Sequence, residues 1–310
     1  MNRLVVLGSV NADHVLRVPH FPRPGETLTG HGYQVVPGGK GANQAVAAAR
    51  LGAAVSFIAR IGDDAIGHQM KAGFAQDGID VSAVEQDERL PTGIAIIYVS
   101  DEGENSIGIS AEANGALSPA MVKRHETLIA NAHTLLLQLE VPLESVFEAA
   151  RLARTQGTRV VLNPAPAQPL SADLLALVDL ITPNQTEAEL LTGVKVTDEA
   201  SAAEAAARFH QMGIAEVMIT LGSQGVYCSN GSRQMLAPGF KVEAVDTTAA
   251  GDTFNGALLA AELAGADFNA AVRFAHGAAA LSVTRLGAQS SIPAKAEVDT
   301  FLLAQAAQGH

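Results

Sequence analysis

Residues 134–162 read TLLLQLEVPLESVFEAARLARTQGTRVVL, and this stretch decides the fold class. The apolar run 135–139 predicts a buried strand, residues 143–155 are predicted to form a helix, and the run 160–162 predicts a second strand. A strand, a helix and a strand within roughly thirty residues are typical of two parallel strands joined by a crossover helix. The stretch therefore predicts a parallel β-sheet with helices packed on it.

The same alternation of strand and helix continues on both sides of this stretch. Further strands are predicted at 4–7, 54–59, 177–181 and 217–220, and further helices at 42–51, 67–76, 186–191, 200–212 and from 252 to about 264. Repeated strand–helix units bury both faces of a parallel sheet. We therefore predict an α/β protein of three layers, α/β/α, with a mainly parallel central sheet.

Two regions, about 10–37 and 93–109, have β-like patterns with no helix between their strands. The first contains the short stretches 27–29 and 33–36, and the second alternates apolar residues around a turn at 102–104, which indicates a hairpin. We expect the two regions to pair into a small sheet that forms a lid over the carboxyl edge of the main one. Since no linker separates them from the rest, the chain 1–310 is interpreted as a single unit.

Composition excludes several classes of protein. The 310 residues include 20 Lys and Arg against 32 Asp and Glu, a net charge of −12, which argues against a nucleic-acid partner. No apolar run reaches the roughly 18 residues of a membrane span. Cys228 is the single cysteine, so no disulfide framework or cysteine zinc cluster is expected, and a reduced, cytoplasmic setting is predicted. A nucleotide ligand would need positive potential supplied locally, by helix amino termini, turn amides or a metal.

The strongest candidate for chemistry is the segment 245–257, VDTTAAGDTFNGA, in which small residues lead into a predicted helix. The amides of such a first turn, together with the helix dipole, stabilise a bound anion. Asp252 at that point suits removal of a proton from a hydroxyl that attacks a phosphoryl group. Asp is also a common helix N-cap, and the segment alone leaves both interpretations open.

Two other glycine-rich segments are weaker signals. Residues 37–45, PGGKGANQA, place Lys40 and Asn43 where a small polar ligand could be held, and the alternative is a tight turn with a solvated lysine. This segment is not a Walker A loop, and no G-x-G-x-x-G follows the first strand. Residues 220–225, TLGSQG, follow a predicted strand, where open α/β sheets bind ligands, but a plain β-turn explains them equally well.

Taken together and in this order, these segments resemble the ribokinase-like (PfkB) carbohydrate kinase family over essentially the whole chain. The matching motifs are 11–13 (NAD), 38–43 (GGKGAN), 139–140 (LE), 163–166 (NPAP), 184–187 (NQTE) and 246–252 (DTTAAGD). The resemblance implies a ribokinase-like α/β domain with a β-sheet lid and a dimer formed through the lids. It also implies transfer of the γ-phosphoryl group of ATP to the 5-hydroxyl of D-ribose.

The resemblance also assigns roles to individual positions. The sugar would contact Asn11, Asp13, Gly39, Lys40, Asn43 and Glu140, with Asp252 as the base and the amides of Ala250, Gly251 and Asp252 as the anion hole. The nucleotide would lie along Asn184, Thr220, Gly222, Ser223, Gly225, Gly251 and His276, although the spacing of His276 by itself is typical of a core histidine. Potassium would bind at Asp246, Thr248, Ser282, Arg285, Gly287 and Ser291. Glu187 would hold Mg²⁺ through water, and an ordinary first-turn carboxylate is its alternative.

Other functions remain open at this point. The acceptor could be 2-deoxyribose, fructose or a nucleoside such as adenosine, although the carboxylate of Asp13 suits two vicinal hydroxyls better than a deoxy position. A non-catalytic sugar- or nucleotide-sensing module with the same fold is a further alternative. The turn has Ala249 where many relatives outside the ribokinases have glycine, and Gln185 stands where an acidic residue is common.

Overall fold

The computed structural model describes residues 3–307. Its strands in chain order are β1 (Arg3–Leu7), β2 (Asn11–Val18), β3 (His31–Gly38), β4 (Ala54–Gly62), β5 (Val84–Asp87), β6 (Gly93–Ser100), β7 (Asn105–Ser110), β8 (Thr134–Leu137), β9 (Arg159–Leu162), β10 (Leu180–Ile181), β11 (Glu216–Thr220), β12 (Val226–Ser229) and β13 (Gln234–Ala237). The helices are α1 (Lys40–Arg50), α2 (Ala65–Gln76), α3 (Pro119–Arg124), α4 (Glu126–Ala130), α5 (Leu143–Gln156), α6 (Ala172–Leu175), α7 (Gln185–Thr192), α8 (Glu199–Gln211), α9 (Ala250–Leu263), α10 (Phe268–Ser282) and α11 (Lys295–Ala307). Short 3₁₀ turns lie at Glu112–Ala116 and Gly222–Gln224. None of the helices in this range combines the length and the apolar character that a membrane crossing requires.

The central sheet has the strand order β13-β12-β11-β10-β9-β8-β1-β4-β5. From β11 to β5 all pairs are parallel, and only the β11–β12 and β12–β13 pairs are antiparallel. Alternate residues of β1 belong to two separate apolar clusters: Leu4 and Val6 share one with residues of α1, α9 and α10, whereas Val5 and Leu7 share the other with residues of α5 and α8. The sheet is therefore covered on both faces, and the predicted three-layer α/β fold is confirmed.

A second sheet of order β3-β2-β6-β7 stands apart from the first, as the sequence predicted. Its two halves are joined by parallel pairing of β2 with β6 from Asn11–Gly93 to Val18–Ser100. The turn between β6 and β7 spans residues 101–104, close to the predicted hairpin turn. Residues 27–29, which have a β-like pattern, lie outside the strands, so that part of the prediction is wrong.

Contact between α1 and α9 brings two distant parts of the chain together. Gly256 of α9 lies so close to α1 that a Cβ atom there would be 2.6 Å from the Cβ of Ala47 and 2.8 Å from the carbonyl oxygen of Gln44. Glycine permits this approach because it has no side chain. One turn earlier on each helix are Asn43 and Asp252, so the close packing of the helices sets the distance between the two glycine-rich segments.

The bounds of α1 differ from the predicted ones. The helix begins at Lys40 rather than at residue 42, because Gly39 takes the N-cap position with φ 92°, a left-handed conformation that favours glycine. Lys40 is therefore the first helical residue, and its backbone N–H points out of the helix end. The edge strand β5 and the antiparallel hairpin of β12 and β13 were not predicted, since both are short and lack the strand–helix rhythm.

Candidate active site

A cavity of about 190 Å³ opens at the carboxyl ends of β9, β10 and β11. Its lining residues are Lys40, Asn163, Ala165, Thr182, Asn184, Glu187, Thr220, Thr247, Ala249, Ala250, Gly251, Asp252 and Asn255. Parallel strands of an open α/β sheet converge on ligands at this edge. The structure thus brings Lys40, Asn184 and Glu187 to the same cavity as the turn 247–252.

Asp252 is the third residue of α9, and its side chain does not cap the helix. Ala249 occupies the N-cap position, and no side chain caps it there. The buried carboxylate of Asp252 instead accepts hydrogen bonds from Asn43 Nδ2 at 3.0 Å and from Gln44 Nε2 at 2.8 Å. The helix-cap interpretation of Asp252 is therefore wrong, and the carboxylate is held at the cavity wall by α1.

The turn before α9 has an unusual backbone. Ala249 has φ 58° and ψ 14°, in the left-handed region that costs a residue with a Cβ about 1–2 kcal/mol. The N–H of Ala250 donates to the carbonyl of Thr247 at 3.3 Å, and the N–H of Thr253 donates to that of Ala249 at 2.8 Å. The amides of Gly251 and Asp252 stand in the first helical turn, where amides have no acceptor within the helix. Of the three amides predicted to form the anion hole, Ala250 is thus engaged by the turn itself.

Lys40 is partly buried among carboxylates. Burial alone would lower the pKa of its amine, but the charges of Asp252, Glu140, Glu187 and Asp13 outweigh burial and raise it. Its backbone N–H donates to Glu140 Oε2 at 3.0 Å, and the same oxygen accepts from Ser9 Oγ at 2.6 Å. The interpretation of Lys40 as a solvated turn lysine is wrong, because Lys40 is partly buried in the cavity wall and its charge interacts with those of several carboxylates.

Asp13 on β2 faces this group of charges from the small sheet. Burial, followed by repulsion from Glu140 and Asp252, raises the pKa of its carboxyl to about 7, and Lys40 opposes the shift. Close packing contributes to the burial, since a Cβ on Gly38 would lie 2.0 Å from Asp13 Oδ2. A buried carboxylate without a bound cation is costly, so this position favours a ligand that donates hydrogen bonds.

Asn11, also on β2, is oriented by a residue that the sequence did not single out. Asn114, which is buried, donates through Nδ2 to Asn11 Oδ1 at 2.8 Å and to the carbonyl of Val10 at 3.0 Å, and its Oδ1 accepts from the N–H of Val10. The amide oxygen of Asn11 is thereby occupied. The NH₂ group of Asn11 remains as a donor for a ligand oxygen.

The predicted nucleotide positions fall into two groups. Asn184 and Thr220 are bridged to each other and line the cavity together with Gly251. Gly222 and Ser223 belong to the 3₁₀ turn Gly222–Gln224 that follows β11. Gly225 comes directly after this turn, and a Cβ atom there would lie 2.0 Å from the carbonyl oxygen of Ala237, so only glycine fits.

His276 lies elsewhere, on α10, where its ring packs edge-on against Phe254 with centroids 5.4 Å apart. Burial lowers the pKa of His276 to about 4, and its Nε2 has no hydrogen-bond partner in the described part of the chain. The ring is therefore neutral at physiological pH. The burial of His276 and its packing against Phe254 are those of a histidine in the apolar core.

Glu187 has a structural contact as well as a place in the cavity. It completes a capping box with Asn184: its carboxylate accepts from the backbone N–H of Asn184 at 2.8 Å, and its own N–H donates to Asn184 Oδ1. Burial raises the pKa of Glu187, and the hydrogen bond from Asn184 and the charge of Lys40 oppose this. Within residues 3–307 no group of three or more His, Cys, Asp or Glu side chains is arranged to hold a metal ion. The Glu187 carboxylate in the cavity supplies the oxygen ligands that Mg²⁺ prefers, so it is compatible with this ion.

The predicted potassium positions are partly clustered. Asp246 Oδ1 accepts from the N–H and the hydroxyl of Thr248, and Oδ2 accepts from the N–H of Gly287 at 2.9 Å, so the two loops are tied together. These hydrogen bonds, against the effect of burial, hold the pKa of Asp246 below its usual value. Arg285 directs its guanidinium to Glu297 at 2.6 Å, so a contribution of Arg285 to a cation site would come from its carbonyl. Both carboxylate oxygens of Asp246 thus already accept hydrogen bonds, and a cation bound here would share them.

The two remaining predicted potassium positions, Ser282 and Ser291, are both buried. Ser282 is the last residue of α10, and the carbonyl of the next residue, Val283, accepts from the N–H groups of Val245 and Asp246 at 2.7 and 3.1 Å. The two loops therefore meet at the end of α10, next to the turn that leads into α9.

The profile of the pfkB family carbohydrate kinases matches residues 1–295. The chain belongs to this family. A ribokinase of Haemophilus influenzae is 56% identical over 299 residues, which cover 96% of this chain and 98% of that protein. Among solved structures, ribokinase from Thermotoga maritima matches with 39% identity and a TM-score of 0.89 over 98% of this chain and all of that one. Arabidopsis thaliana ribokinase complexed with ribose and ATP matches with 33% identity and a TM-score of 0.92 over 97% and 99% of the two chains.

Several residues of this family member's cavity were given no role by the sequence reasoning, although Asn163 and Asn255 stand in the motif 163–166 and the segment 245–257. Asn163 and Thr182 directly follow β9 and β10, and Asn255 lies one helical turn after Gly251. The position of a polar residue at the end of a predicted strand was the available signal for the first two. Gln44 and Asn114 gave no such signal, because each acts by contact with another side chain.

Proposed function

We propose that the chain transfers the γ-phosphoryl group of ATP to O5 of D-ribose, giving ribose 5-phosphate and ADP, with Asp252 as the base. The observation that carries this proposal is the Asp252 carboxylate, which caps no helix and lines the same cavity as the first-turn amide of Gly251. Asp13 and Lys40 interact electrostatically with Asp252. The relatives named ribokinase, and the one complexed with ribose and ATP, support ribose and ATP as the substrates.

In the proposed reaction the ribose 5-hydroxyl attacks the γ-phosphorus as the bond from that phosphorus to the β–γ bridging oxygen breaks, and the hydroxyl proton passes to Asp252. Phosphoryl transfer needs positioning and charge stabilisation more than a strong base. Charge that develops on the transferred group would be stabilised by the amides of Gly251 and Asp252 and by the α9 dipole. Lys40 adds a positive charge near the same point, which answers how a chain of net charge −12 can bind a polyphosphate.

Sugar recognition is assigned to the remaining polar groups around Lys40. Asp13 would accept hydrogen bonds from two vicinal hydroxyls, and Asn11 would donate its NH₂ group to a sugar oxygen. Gly39, Asn43 and Glu140 would complete the contacts. A deoxy position opposite Asp13 would leave one carboxylate oxygen without a partner, which favours ribose over 2-deoxyribose.

Mg²⁺ is proposed as the cofactor that accompanies ATP, where it would offset the negative charge of the phosphates. Glu187 would hold the ion through water. The partial burial of the Glu187 carboxylate beside Lys40 supports a role inside the cavity in addition to its role in the capping box.

The small sheet is proposed as a lid over the sugar and as the contact between two copies of the chain. Its apolar side chains are exposed: Tyr33 at 62%, Ile107 at 57% and Ile109 at 51%. Its edge strands β3 and β7 each pair with a neighbouring strand on one side only. The open sides of such strands are commonly covered in native proteins. A homodimer formed through these sheets would cover both, and light scattering of the purified protein tests it, with a monomer at micromolar concentration as the contrary result.

We also infer a reduced, cytoplasmic setting. Cys228 is buried, and burial raises the pKa of its thiol to about 12, so that it stays protonated and unreactive.

The function is tested with a panel of acceptors in a coupled assay of ADP formation with ATP and Mg²⁺. We expect ribose to be phosphorylated with the highest kcat/KM, and 2-deoxyribose, fructose and adenosine to react more slowly. The missing hydrogen bond to a charged group alone predicts a ratio of about 10-fold or more between ribose and 2-deoxyribose. A higher kcat/KM for 2-deoxyribose would change the assigned acceptor, and no ADP with any acceptor would favour a non-catalytic sensing module.

Potassium is expected to raise kcat above the value in sodium at equal ionic strength, because the proposed cation site around Asp246 lies next to the turn that leads into α9. The control variant Asp246→Asn removes the one charged donor of the cluster and should abolish the difference between the two salts. Equal rates in the two salts for the unaltered protein would remove the proposed cation site.

A further inference from the structure

A line of buried amide side chains leads from the core of the protein to Asp252. Gln138, which directly follows β8, donates through Nε2 to Gln44 Oε1 at 2.6 Å. Gln44 in turn donates through Nε2 to Asp252 Oδ1 at 2.8 Å and to Asn163 Oδ1 at 2.9 Å. The side chains of Gln44 and Gln138 are completely buried, and neither residue lines the cavity.

The direction of every hydrogen bond in this line follows from the charge on Asp252. An ionised carboxylate only accepts, so Gln44 must turn its NH₂ group toward Asp252 and its oxygen toward Gln138. Gln138 must then present its own NH₂ group to that oxygen. Reversal of either amide would place two oxygens against each other in a dry environment.

This arrangement leaves one group without a partner. Gln138 Oε1 has no hydrogen-bond partner in the described part of the chain, and a Cβ on Gly8 would lie 2.1 Å from it, so the oxygen is pressed against the backbone. An unpaired buried acceptor lowers stability. The line of amides is therefore poorly explained as a device for stability, since two apolar side chains of the same size would avoid the unpaired oxygen.

We propose that Gln44, oriented by Gln138, is a positioning residue that fixes the direction of the Asp252 carboxylate oxygens through its hydrogen bond to Oδ1. This inference rests on the proposed function, since it assigns Asp252 as the base. Gln44 is the amide donor to Oδ1, whereas Asn43, itself a predicted sugar contact, is the donor to Oδ2. Gln44 thus contacts Asp252 from the protein interior and does not line the cavity in which the substrate would bind.

Several other charged side chains of the candidate site interact with Asp252. Asp13 on β2 and Glu187 on α7 repel it, and Lys40 at the start of α1 attracts it. Glu140, after β8, lies in the same group of charges around Lys40 and Asp13. None of these four groups is hydrogen-bonded to Gln44 or Gln138 among the described contacts, so replacing either glutamine leaves them in place. A change in the pH dependence of turnover can therefore be assigned to the lost amide donor.

The test replaces Gln44 by methionine, which has a similar size and shape but cannot donate. We expect kcat at saturating ribose and ATP to fall about 10- to 100-fold, while both KM values stay within about 3-fold, because a general base contributes up to about 10⁴-fold in total. We also expect the acidic limb of the kcat–pH profile to move to higher pH, since a carboxylate that loses a donor is protonated more easily. Saturating ribose is used because Asp13 titrates near pH 7 in the free protein.

A second variant and a control make the result decisive. Gln138→Met leaves Gln44 in place but removes the partner that orients it, and a smaller change in the same direction is expected. Thr158→Val is the control, because Thr158 is a buried hydrogen-bonding residue at the opposite end of the sheet, where its hydroxyl donates to the carbonyl of Ile129 at 2.8 Å. It should lower the unfolding midpoint without moving the pH profile.

Each outcome has a defined meaning. If Gln44→Met loses activity but the acidic limb of its kcat–pH profile does not move, the variant has lost only structure, and the proposal is overturned. The unmoved profile expected for Thr158→Val is the reference for this comparison. If Gln44→Met does not fold, the pH profile of Gln138→Met decides by the same criterion. The unaltered protein is assayed in parallel with ribose and ATP: if it is inactive, the proposed function fails, whereas an active protein with unmoved profiles in both variants refutes the positioning role alone.

Discussion

The variant Asp252→Asn is expected to phosphorylate ribose with a kcat lowered by about 10²- to 10⁴-fold, the range that a positioned general base contributes. Asparagine keeps the size of the side chain but cannot take the proton of the attacking hydroxyl. The amides of the first turn and the charge of Lys40 remain, so the KM values for ATP and ribose should change by no more than a few fold. Steady-state kinetics with both substrates varied measures the two effects separately.

A matched control is available on the next helix. Asp267 is the N-cap of α10, and its carboxylate accepts from the N–H of Ala270 at 2.9 Å. Asparagine caps helices as well as aspartate does, so Asp267→Asn should leave both stability and kcat unchanged. A kcat for Asp252→Asn within a few fold of the original would remove Asp252 from the role of base.

The variant Asp13→Asn is expected to bind ribose more weakly and yet to be more stable at alkaline pH. Loss of the charged acceptor should lower kcat/KM for ribose by roughly 10- to 100-fold for each hydroxyl contact. The carboxyl of Asp13 has a folded-state pKa of about 7 against an ordinary value of 3.8. The folded protein therefore retains this proton between about pH 4 and 7, whereas the unfolded chain releases it.

The sign of the stability effect follows from this difference. A raised pKa means that the contribution of Asp13 to stability is present at low pH and is lost as the pH rises through 3.8 to about 7. The upper bound of the loss is roughly 4 kcal/mol, from that interval at about 1.36 kcal/mol per pKa unit. Asparagine does not titrate, so the advantage of the variant should be largest at pH 8 and smaller at pH 5. Urea unfolding at the two pH values measures it.

Asp87 provides a control because its pKa is shifted in the opposite direction to that of Asp13. It is paired with Arg60 at 2.9 Å, and hydrogen bonds from the amides of Arg89 and Leu90 together with this charge lower its pKa. Asp87→Asn should therefore destabilise the protein at pH 8. If Asp13→Asn gives the same change in unfolding free energy at both pH values, burial of a charged Asp13 is not what limits stability.

Most of the fold could be predicted because buried parallel strands and their helices differ in length and pattern. Residues 134–162 alone contain a complete strand–helix–strand unit, and β8, α5 and β9 lie within a residue or two of the predicted bounds. The exceptions have physical reasons. The start of α1 depended on the left-handed backbone of Gly39, and the hairpin of β12 and β13 pairs antiparallel at the edge of a sheet whose other strands are parallel.

The candidate site was less accessible to sequence reasoning. Asp252, Lys40 and Asn184 stand in motifs that are local in sequence and could be recognised by resemblance. The contacts that decide between a helix cap and a base are not local, since Asn43 and Asp252 are 209 residues apart. The close approach of α1 and α9 at Gly256 creates that contact, and a single glycine inside a predicted helix does not reveal its neighbour.

The way in which the small sheet is attached has a mechanical consequence. The chain passes between this sheet and the main body four times, and the passages lie beside Asn11, Gly39, Gly93 and Asn114. They are packed so tightly that a Cβ on Gly93 would be 2.1 Å from Asn114 Nδ2 and 2.6 Å from Asn11 Oδ1. Two of these passages contain proposed sugar contacts, Asn11 and Gly39, and Asn114 at a third is hydrogen-bonded to Asn11. A tilt of the small sheet would therefore move Asn11 and Gly39 as well, and the distal turn at residues 101–104 would be displaced together with them.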